Sequence, residues 1–500
     1  MGGMGKTTLA QLVYNDENVK SHFDKRIWVC VSDPFEEIKI AQAIIEEIDK
    51  DNSSKSSNVL QTLTQCIDKL IEGKKFLLVL DDVWSPNSYQ WEELIKPLRN
   101  GGIGSRILVT TRKEEVVTLM KATTQLIHLK ELGEAFCLSL FYYSADMDES
   151  SVSTEFKNIG SEIVKRCNGL PLAAKTLGSL MRNKKKIHEW QAVLKSKTWE
   201  LKEIQQDVFR PLLLSYHDLS PATKRCLLYC VTFPKDYVYN RNCLIELWMS
   251  QDYLNVKESK EKIVVGQNYF DDLAMRSFFQ DIEDVQFEYG NIKCKIHDIV
   301  HDFLRYLTEN ECLILDFELD ASKRRDVSKD KVHHLTLVHA TEGDSLQTFL
   351  PNYKKLRTLI AIQSSEYSIG PIFELIVQLK CLRTLDLRGW RGKGCLKEIP
   401  ETIGGLIHLR SARLDQFVVP IIGGDEGNKL EHLKDLNQLQ GTLAIHILGN
   451  PNMAENAAAI MVNKAHLLEL RLEFYSIDEG KHGEIMNGLE PHPDLESLYI

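Results

Sequence analysis

The sequence predicts a multidomain chain of mixed α/β architecture, with a parallel-sheet domain first and a solenoid of repeats last. Its 500 residues are too many for one hydrophobic core, because a domain usually holds about 100 to 200 residues. Residues 1–133 alternate helical stretches with short apolar runs, and residues 330–500 repeat one leucine pattern. Between them lie two mainly helical regions, which we assign to a helical domain at 134–208 and a winged-helix domain at 209–318.

The first domain is predicted to contain a parallel sheet that is covered on both faces. Three apolar runs, at 26–31, 75–80 and 106–110, are rich in leucine and β-branched residues. Runs of this kind are typical of strands that are buried on both faces in α/β proteins. The polar, serine-rich stretch at 49–58 is predicted to be a loop.

The helical domain is predicted from helical periodicity without any strand-like run. Gly169-Leu170-Pro171 interrupts this periodicity, and glycine followed by proline is a strong signal for a break between two helices. We therefore expect one helix to end before this segment and another to start after it.

The winged-helix domain is predicted from two short apolar runs, at 278–282 and 291–296, on either side of Tyr289-Gly290. They indicate two strands beside several helices. Acidic residues accompany these strands, including Glu283 and Asp284, so we expect no contact with nucleic acid there.

The last domain repeats the pattern L-x-x-L-x-L six times, and intervals of 26, 27, 31, 27 and 28 residues separate successive copies. This spacing is typical of leucine-rich repeats, in which neighbouring strands stack to bury their leucines. Such a sheet is curved, and its concave face suits a partner protein. The last copy ends at Ile500, so we expect the repeat array to be incomplete. The copies are Leu356-Leu359-Ile362, Leu382-Leu385-Leu387, Leu409-Ala412-Leu414, Gln440-Leu443-Ile445, Leu467-Leu470-Leu472 and Leu495-Leu498-Ile500.

The start of the chain carries the end of a phosphate-binding loop. Glycines let backbone N–H groups turn inward around phosphates, a lysine reaches the β- and γ-phosphates, and a hydroxyl holds Mg²⁺. The full motif has another glycine five positions before Gly5, which would precede Met1, as would the strand that feeds the loop. We therefore expect a truncated chain. The predicted nucleotide-binding residues are Gly3, Met4, Gly5, Lys6, Thr7 and Thr8, with Thr7 also as a metal ligand.

Two adjacent acids follow the second apolar run and supply the acidic element that such a loop needs. Asp81 is predicted to hold Mg²⁺, and Asp82 to orient an attacking water as the candidate catalytic residue. Seen alone, the pair could also be a helix cap or a turn. Arg112 follows the third run and is predicted to sense a γ-phosphate, although a surface arginine would fit the same pattern.

Composition limits the other functions. The 61 basic and 71 acidic residues give a net charge of -10, which offers nucleic acid no general electrostatic footprint. Eleven cysteines without paired spacing, in a chain that starts without an apolar signal core, are typical of a cytoplasmic protein. No apolar run approaches the roughly 20 residues of a membrane span. We expect a cytoplasmic protein that has no membrane-spanning segment.

The order of these motifs resembles the NB-ARC module of plant nucleotide-binding, leucine-rich-repeat disease resistance proteins. The resemblance extends over nearly the whole chain, and Trp84 is similar to the residue found in the coiled-coil subclass. It rests on Gly3-Met4-Gly5-Lys6-Thr7-Thr8, residues 23–32, Leu80-Asp81-Asp82-Val83-Trp84, residues 104–112, Gly169-Leu170-Pro171-Leu172-Ala173, residues 226–254 and Ile296-His297-Asp298.

This resemblance implies a P-loop NTPase domain and a molecular switch in an intracellular plant immune receptor for defence against pathogens. Such a switch holds ADP at rest and exchanges it for ATP, with Mg²⁺, when a pathogen signal reaches the repeats. The repeats would act as sensor and autoinhibitor, and would meet a pathogen effector or a guarded host protein. Activation would form a homo-oligomer. Any turnover would be that of a slow ATPase.

The resemblance also implies roles for two residues outside the first domain. Pro171 would pack on the adenine or ribose, and His297 would contact the β-phosphate of ADP. Judged without the family, Pro171 could merely separate two helices, and His297 could be a core histidine. Ile296 replaces the methionine that usually precedes this histidine, a change that conserves apolar volume.

Two other functions fit the sequence. One is a dedicated P-loop ATPase that drives remodelling of other molecules. The other is a nucleotide-free repeat scaffold or decoy, which the incomplete phosphate loop favours. Because the missing glycine and strand would remove backbone donors, we expect weaker nucleotide affinity than that of an intact module.

Overall fold

The computed structural model divides the chain into two compact units, Met1–Asp218 and Leu219–Ile500. No helix within the part described is both long and apolar enough to cross a membrane. The structure describes residues 2–31, 35–49, 57–84, 88–120, 126–148, 152–200, 209–256, 259–284, 292–308, 311–317, 331–339, 350–362, 364–365, 375–376, 378–387, 390–391, 405–413, 418–420, 436–448, 461–475, 492–493, 495 and 497–499.

The first unit opens with a parallel sheet of three described strands, in the order β1-β2-β3. The three predicted strands are confirmed, with ends that shift by one to three residues. The central strand extends beyond its predicted end, so that both acids lie within it. The bounds are β1 Lys25–Cys30, β2 Phe76–Val83 and β3 Arg106–Thr111.

Helices cover both faces of this sheet, which explains why its strands are apolar on both sides. One face packs on the first helix through Ala10, Leu77 and Val79. The larger core lies on the other face. Of the predicted loop at 49–58, residues 50–56 lie outside the described part. The helices are α1 Lys6–Asn15, α2 Glu17–His22, α3 Glu37–Ile48, α4 Leu60–Ile71, α5 Ser88–Ile95 and α6 Glu114–Leu119, with a 3-10 turn at Pro97–Asn100.

The rest of the described first unit is mainly helical, as expected for residues 134–208, and the predicted break lies between α8 and α9. The last helix of this unit, α11, lies in the range predicted for the winged-helix domain. Gly169 adopts a φ of 68°, and its carbonyl accepts a hydrogen bond from the Leu132 amide at 2.8 Å. Pro171 is the first residue of α9, where its missing N–H removes no helical bond. The helices are α7 Glu134–Ser144, α8 Thr154–Lys165, α9 Pro171–Met181, α10 Ile187–Leu194 and α11 Phe209–His217, with a 3-10 turn at Lys197–Glu200.

The second unit begins with a winged-helix region. Its antiparallel sheet has the order β4-β6-β5, and the two predicted strands are β5 and β6. The short strand β4 was not predicted, because two residues give no periodicity. Tyr289-Gly290 lies outside the described part. The elements are α12 Pro221–Tyr229, a 3-10 turn Cys230–Thr232, β4 Tyr239–Asn240, α13 Arg241–Ser250, α14 Ser259–Met275, β5 Phe279–Asp284, β6 Ile292–Ile296 and α15 Asp298–Thr308.

Parallel strands follow, and strands occur at all six predicted repeat copies. Leu414 and Ile500, the last positions of two copies, lie outside the described part. Two earlier strands, β7 and β8, extend the sheet that holds the first three copies, although β7 falls within the range predicted for the winged-helix domain. The last three copies belong to a second parallel sheet, in the order β14-β15-β16-β17. The strands are β7 Cys312–Asp316, β8 His334–Val338, β9 Thr358–Ile362, β10 Ser364–Ser365, β11 Thr384–Asp386, β12 Trp390–Arg391, β13 Ser411–Arg413, β14 Val418–Pro420, β15 Gly441–Leu448, β16 Leu467–Tyr475 and β17 Ser497–Tyr499, with a 3-10 turn Leu350–Asn352.

The first repeat strands pack their polar face on the winged-helix region. Thr358 and Thr384 are fully buried, and the Gln251 amide donates to their hydroxyls at 3.2 Å and 2.8 Å. The Ser250 and Thr384 hydroxyls lie 2.6 Å apart, and Arg383 donates to the Gln251 carbonyl at 3.0 Å. This part of the predicted concave face is therefore occupied by the same chain.

Candidate nucleotide site

The phosphate loop leads directly into the N-terminus of α1. Gly3 and Gly5 have φ angles of 72° and 85°, a region that other residues adopt only at a cost. A side chain at Gly5 would meet nothing within 4 Å, so backbone conformation rather than crowding requires this glycine. The loop thus leads into the N-terminus of a ten-residue helix. The first N–H groups of a helix have no acceptor within the helix, which is a favourable arrangement for an anion.

Asp81 connects the loop to the sheet. The Thr7 hydroxyl donates to Asp81 Oδ1 at 3.1 Å, and the Thr110 hydroxyl donates to the same oxygen at 2.5 Å. Asp81 is only 5% exposed, and this burial raises the pKa of its carboxyl group, while the two hydroxyl bonds oppose the rise. The predicted metal ligands Thr7 and Asp81 are therefore direct neighbours.

Asp82 lies at a bulge in the pairing of β2 with β3, between Leu80 and Val83. Its φ of 54° is unusual for a residue with a side chain, and its amide donates to Thr110 Oγ1 at 2.8 Å. Thr110 thus contacts both acids at once. The bulge turns the second carboxylate in a different direction from the first.

One cationic and one aromatic side chain donate hydrogen bonds to Asp82 Oδ2. The Arg112 Nη2 donates to it at 3.0 Å, and the Trp84 indole N–H donates at 3.2 Å. The Arg112 guanidinium also lies over the Trp84 ring, with its central carbon 4.9 Å from the ring centre. The predicted catalytic residue and the predicted γ-phosphate sensor are therefore an ion pair in this structure.

Lys6 shares this environment. Burial lowers the pKa of its ammonium group, and the positive charge of Arg112 lowers it further, while Asp82 and Asp81 oppose both effects. Four charged groups from the loop and the strand ends thus interact electrostatically. The donor set of backbone N–H groups, one ammonium, one hydroxyl and one carboxylate is the chemistry that a nucleoside polyphosphate with Mg²⁺ requires.

Pro171 belongs to the same unit and lies near the loop. The amide of the next residue, Leu172, donates to the Gly3 carbonyl at 3.3 Å. The start of α9 therefore contacts the backbone of the predicted phosphate loop.

His297 lies in the second unit, between β6 and α15. Its Nδ1 accepts a hydrogen bond from the Ile299 amide at 3.1 Å, so it stabilises the first turn of α15. Ile296 is buried in β6 opposite Phe279, which accommodates an aliphatic side chain. Contact of His297 with a phosphate stays a prediction.

Sequence reasoning missed Thr110 and gave Trp84 no place in the site. Thr110 could have been found from strand geometry, because it lies near the end of β3, beside the strand that carries the acids. The ends of neighbouring parallel strands meet at one edge of the sheet. For Trp84 the sequence holds no comparable signal, because ring stacking on Arg112 depends on tertiary structure.

Comparison with protein families matches three consecutive regions. Residues 1–151 match the NB-ARC domain, residues 232–304 match the disease resistance protein winged helix domain, and residues 430–500 match the R13L1/DRL21 leucine-rich repeats. These matches occur in the order that the motifs suggested.

Individual relatives agree with these matches. The chain is 34% identical, over its whole length and 53% of the relative, to the putative disease resistance protein RGA4 of Solanum bulbocastanum. It is 32% identical to the disease resistance protein RGA2 of the same plant, over 100% of the chain and 55% of the relative. It is also 32% identical to a putative disease resistance RPP13-like protein 1 of Arabidopsis thaliana, over 77% of the chain and 36% of the relative. The chain thus spans about half the length, or less, of these relatives.

Proposed function

This chain belongs to the NB-ARC, leucine-rich-repeat family of plant disease resistance proteins, and on that premise we propose that it is the ADP/ATP-binding switch of an intracellular immune receptor. One observation carries this proposal. Thr7 of the phosphate loop donates to Asp81 at the end of β2, so the phosphate-binding and metal-binding elements meet at one place. A repeat scaffold that had lost its nucleotide would gain nothing from this arrangement.

The predicted residues have complementary roles in the proposed site. The loop from Gly3 to Thr8 and the Lys6 ammonium bind the phosphates, and Thr7 and Asp81 hold Mg²⁺. Bound Mg²⁺ and nucleotide would supply a reactive phosphoryl group whose charge is partly neutralised. Asp82 orients water, and Arg112 senses the γ-phosphate.

Two residues would report which nucleotide is bound. Pro171 packs on the adenine or ribose, a role that the contact of Leu172 with the loop supports. His297 contacts the β-phosphate of ADP from the second unit. Hydrolysis is slow in this proposal, because the reaction serves to reset a switch rather than to supply work.

The repeats are the proposed sensor and autoinhibitor. Their partner is a pathogen effector or a guarded host protein, reached in the cytoplasm, and the activated receptor forms a homo-oligomer. The packing of the first repeat strands on the winged-helix region supports coupling of the repeats to the region that carries His297.

Calorimetric titration of ADP with Mg²⁺ into the whole chain tests the switch. We expect binding, and we expect Lys6→Ala to weaken it by at least about tenfold, because a charge-assisted phosphate contact contributes well over 1 kcal/mol. Lys165→Ala is the control, since this lysine only pairs with Glu162 on the surface of α8. Absence of ADP binding would favour the scaffold or decoy, and rapid multiple turnover would favour a dedicated ATPase.

A further inference from the structure

We infer that Trp84 is a positioning residue of the nucleotide site, which fixes Asp82 through its indole N–H and Arg112 through its ring face. This inference rests on the proposed function, because it concerns residues that act toward a bound nucleotide. The assignment comes from the contacts of Trp84 alone.

Trp84 lies outside the hydrophobic core of the first domain. The buried part of β2 ends at Val83, which is 1% exposed, whereas Trp84 comes after the strand and is only partly buried. This ring lies at the edge of the sheet, beside the acids.

Trp84 contacts Asp82 through its indole N–H. Its positive φ of 54° is a strained backbone conformation that persists only where surrounding contacts hold it. The indole N–H of Trp84 and the guanidinium of Arg112 donate to the same oxygen, Oδ2, at 3.2 Å and 3.0 Å. The indole N–H is an uncharged donor, so its bond to the Asp82 carboxylate can persist when the charge of Arg112 is engaged elsewhere.

Trp84 contacts Arg112 through its ring face. A free arginine side chain loses considerable rotamer entropy when a ligand fixes it. Stacking on the Trp84 ring, with 4.9 Å from the guanidinium carbon to the ring centre, fixes the plane of the guanidinium in advance. The Lys113 ammonium, 5.5 Å from the ring centre, adds a second cation at this ring.

The ring face and the indole N–H of Trp84 are therefore expected to have separable effects on nucleotide binding and on hydrolysis. Loss of the ring face loosens Arg112 and should weaken binding of ATP, which has a γ-phosphate, but not of ADP. Loss of the N–H alone loosens Asp82 and should slow hydrolysis while ATP still binds.

The test compares Trp84→Phe, which keeps a ring but no N–H, with Trp84→Leu, which keeps neither. Dissociation constants for MgADP and MgATP are measured by calorimetry on the whole chain, and hydrolysis by single turnover. The matched control is Trp199→Phe, because Trp199 also stacks under an arginine, Arg166 at 5.3 Å, and donates its N–H to the Val193 carbonyl, but lies in the helical region.

We expect Trp84→Phe to bind both nucleotides within about twofold of the original chain and to hydrolyse ATP about tenfold more slowly, the cost of one hydrogen bond. We expect Trp84→Leu also to lose about threefold or more in ATP affinity, with ADP affinity unchanged. Trp199→Phe should match the original chain.

Three results would overturn the inference while leaving the switch intact. They are unchanged ATP binding and hydrolysis in both Trp84 variants, equal loss of ADP and ATP binding in Trp84→Leu, and the same losses in the Trp199 control. Failure of the original chain to bind ADP would instead contradict the proposed function itself. The two failures are therefore distinguishable.

Discussion

At the scale of single residues, the site depends on polar groups that must be satisfied where a buried strand ends. Asp81 is almost fully buried, so the cost of removing its carboxyl group from water has to be offset by hydrogen bonds. The Thr110 hydroxyl supplies one of these bonds and also accepts the Asp82 amide. One small side chain thus holds both acids in place.

Thr110→Val removes that hydroxyl and conserves the shape of the side chain. We expect the free energy of unfolding to fall by about 1 to 3 kcal/mol, because a buried carboxylate and a backbone amide lose a partner. Urea unfolding measures this loss. Thr110→Ser keeps the hydroxyl and should retain most of the free energy of unfolding. Equal losses of stability in both variants would contradict the assignment.

Gly5 and Gly169 differ in why an alanine would be costly: backbone strain alone at Gly5, and strain together with crowding at Gly169. Gly5 and Gly169 have φ angles of 85° and 68°, but only at Gly169 would an added Cβ meet other atoms, 2.5 Å from the Glu131 Cβ and 3.0 Å from the Leu132 carbonyl oxygen. We expect Gly5→Ala to cost about 1 to 2 kcal/mol of stability and Gly169→Ala to cost more. Thermal unfolding of both variants checks this order, and a reversed order would refute it.

At the scale of elements, the row of small polar side chains on the first repeat strands is explained by what covers it. A strand face that is open to water favours no particular small residue, but Thr358 and Thr384 each lie against a hydrogen-bonding group of the winged-helix region. His334 extends the row, with Nδ1 2.9 Å from Thr358 Oγ1 and its ring packed edge-on against Tyr229. The row is therefore an internal contact.

The same row predicts a dependence of stability on pH. Burial lowers the pKa of His334 to about 3, with His333, Arg357 and Arg383 as smaller causes. The unfolded chain binds a proton to this histidine below about pH 6.5, whereas the folded chain does not. The free energy of unfolding should therefore fall as the pH falls from about 6.5 towards 3, by roughly 1 kcal/mol per pH unit.

His334→Gln measures this contribution, because glutamine can hydrogen-bond but does not titrate. We expect the free energy of unfolding of the variant to decline less steeply over the same pH range. Denaturant unfolding at each pH measures this decline. His408→Gln, which changes an exposed histidine of the same unit, is the control. A decline as steep in His334→Gln as in the original chain would rule out the buried histidine as its cause.

At the scale of the whole molecule, the second unit joins the winged-helix region and the repeats into one compact body. The polar contacts between α13 and the repeat strands are buried, so they form only when both partners are folded. A repeat array that folds by itself would need its own polar cap. Here the winged-helix region covers the first strands instead.

This arrangement predicts shared cooperativity. Leu385→Ala should open a cavity in the repeats and speed hydrogen exchange in both β11 and α13, because Ser250 and Gln251 lose ordered partners in Thr384. Leu78→Ala, a change of the same size at an equally buried leucine, lies in the other unit and should leave exchange in α13 unchanged. Faster exchange confined to the repeats would contradict a joint folding unit.

Most elements of this fold could be predicted from sequence, because periodicity and composition are local. The three apolar runs of the first domain became β1, β2 and β3, and the leucine copies became parallel strands. Strand β4 was missed because two residues carry no pattern. Strand β7 was missed because its place in the repeat sheet depends on a distant partner, β8.

The sequence by itself determined the chemical inventory of this protein: a glycine-rich loop with Lys6 and Thr7, two acids after a buried strand, and leucines at repeat spacing. Only the tertiary structure decided which of these groups meet, that Thr110 bridges the acids, that Arg112 pairs with Asp82 on the Trp84 ring, and that the first repeats are covered by their own chain. The physical reason is that residue type and spacing along the chain fix local conformation and reactivity, whereas contacts between residues far apart in sequence depend on how sheets and helices pack.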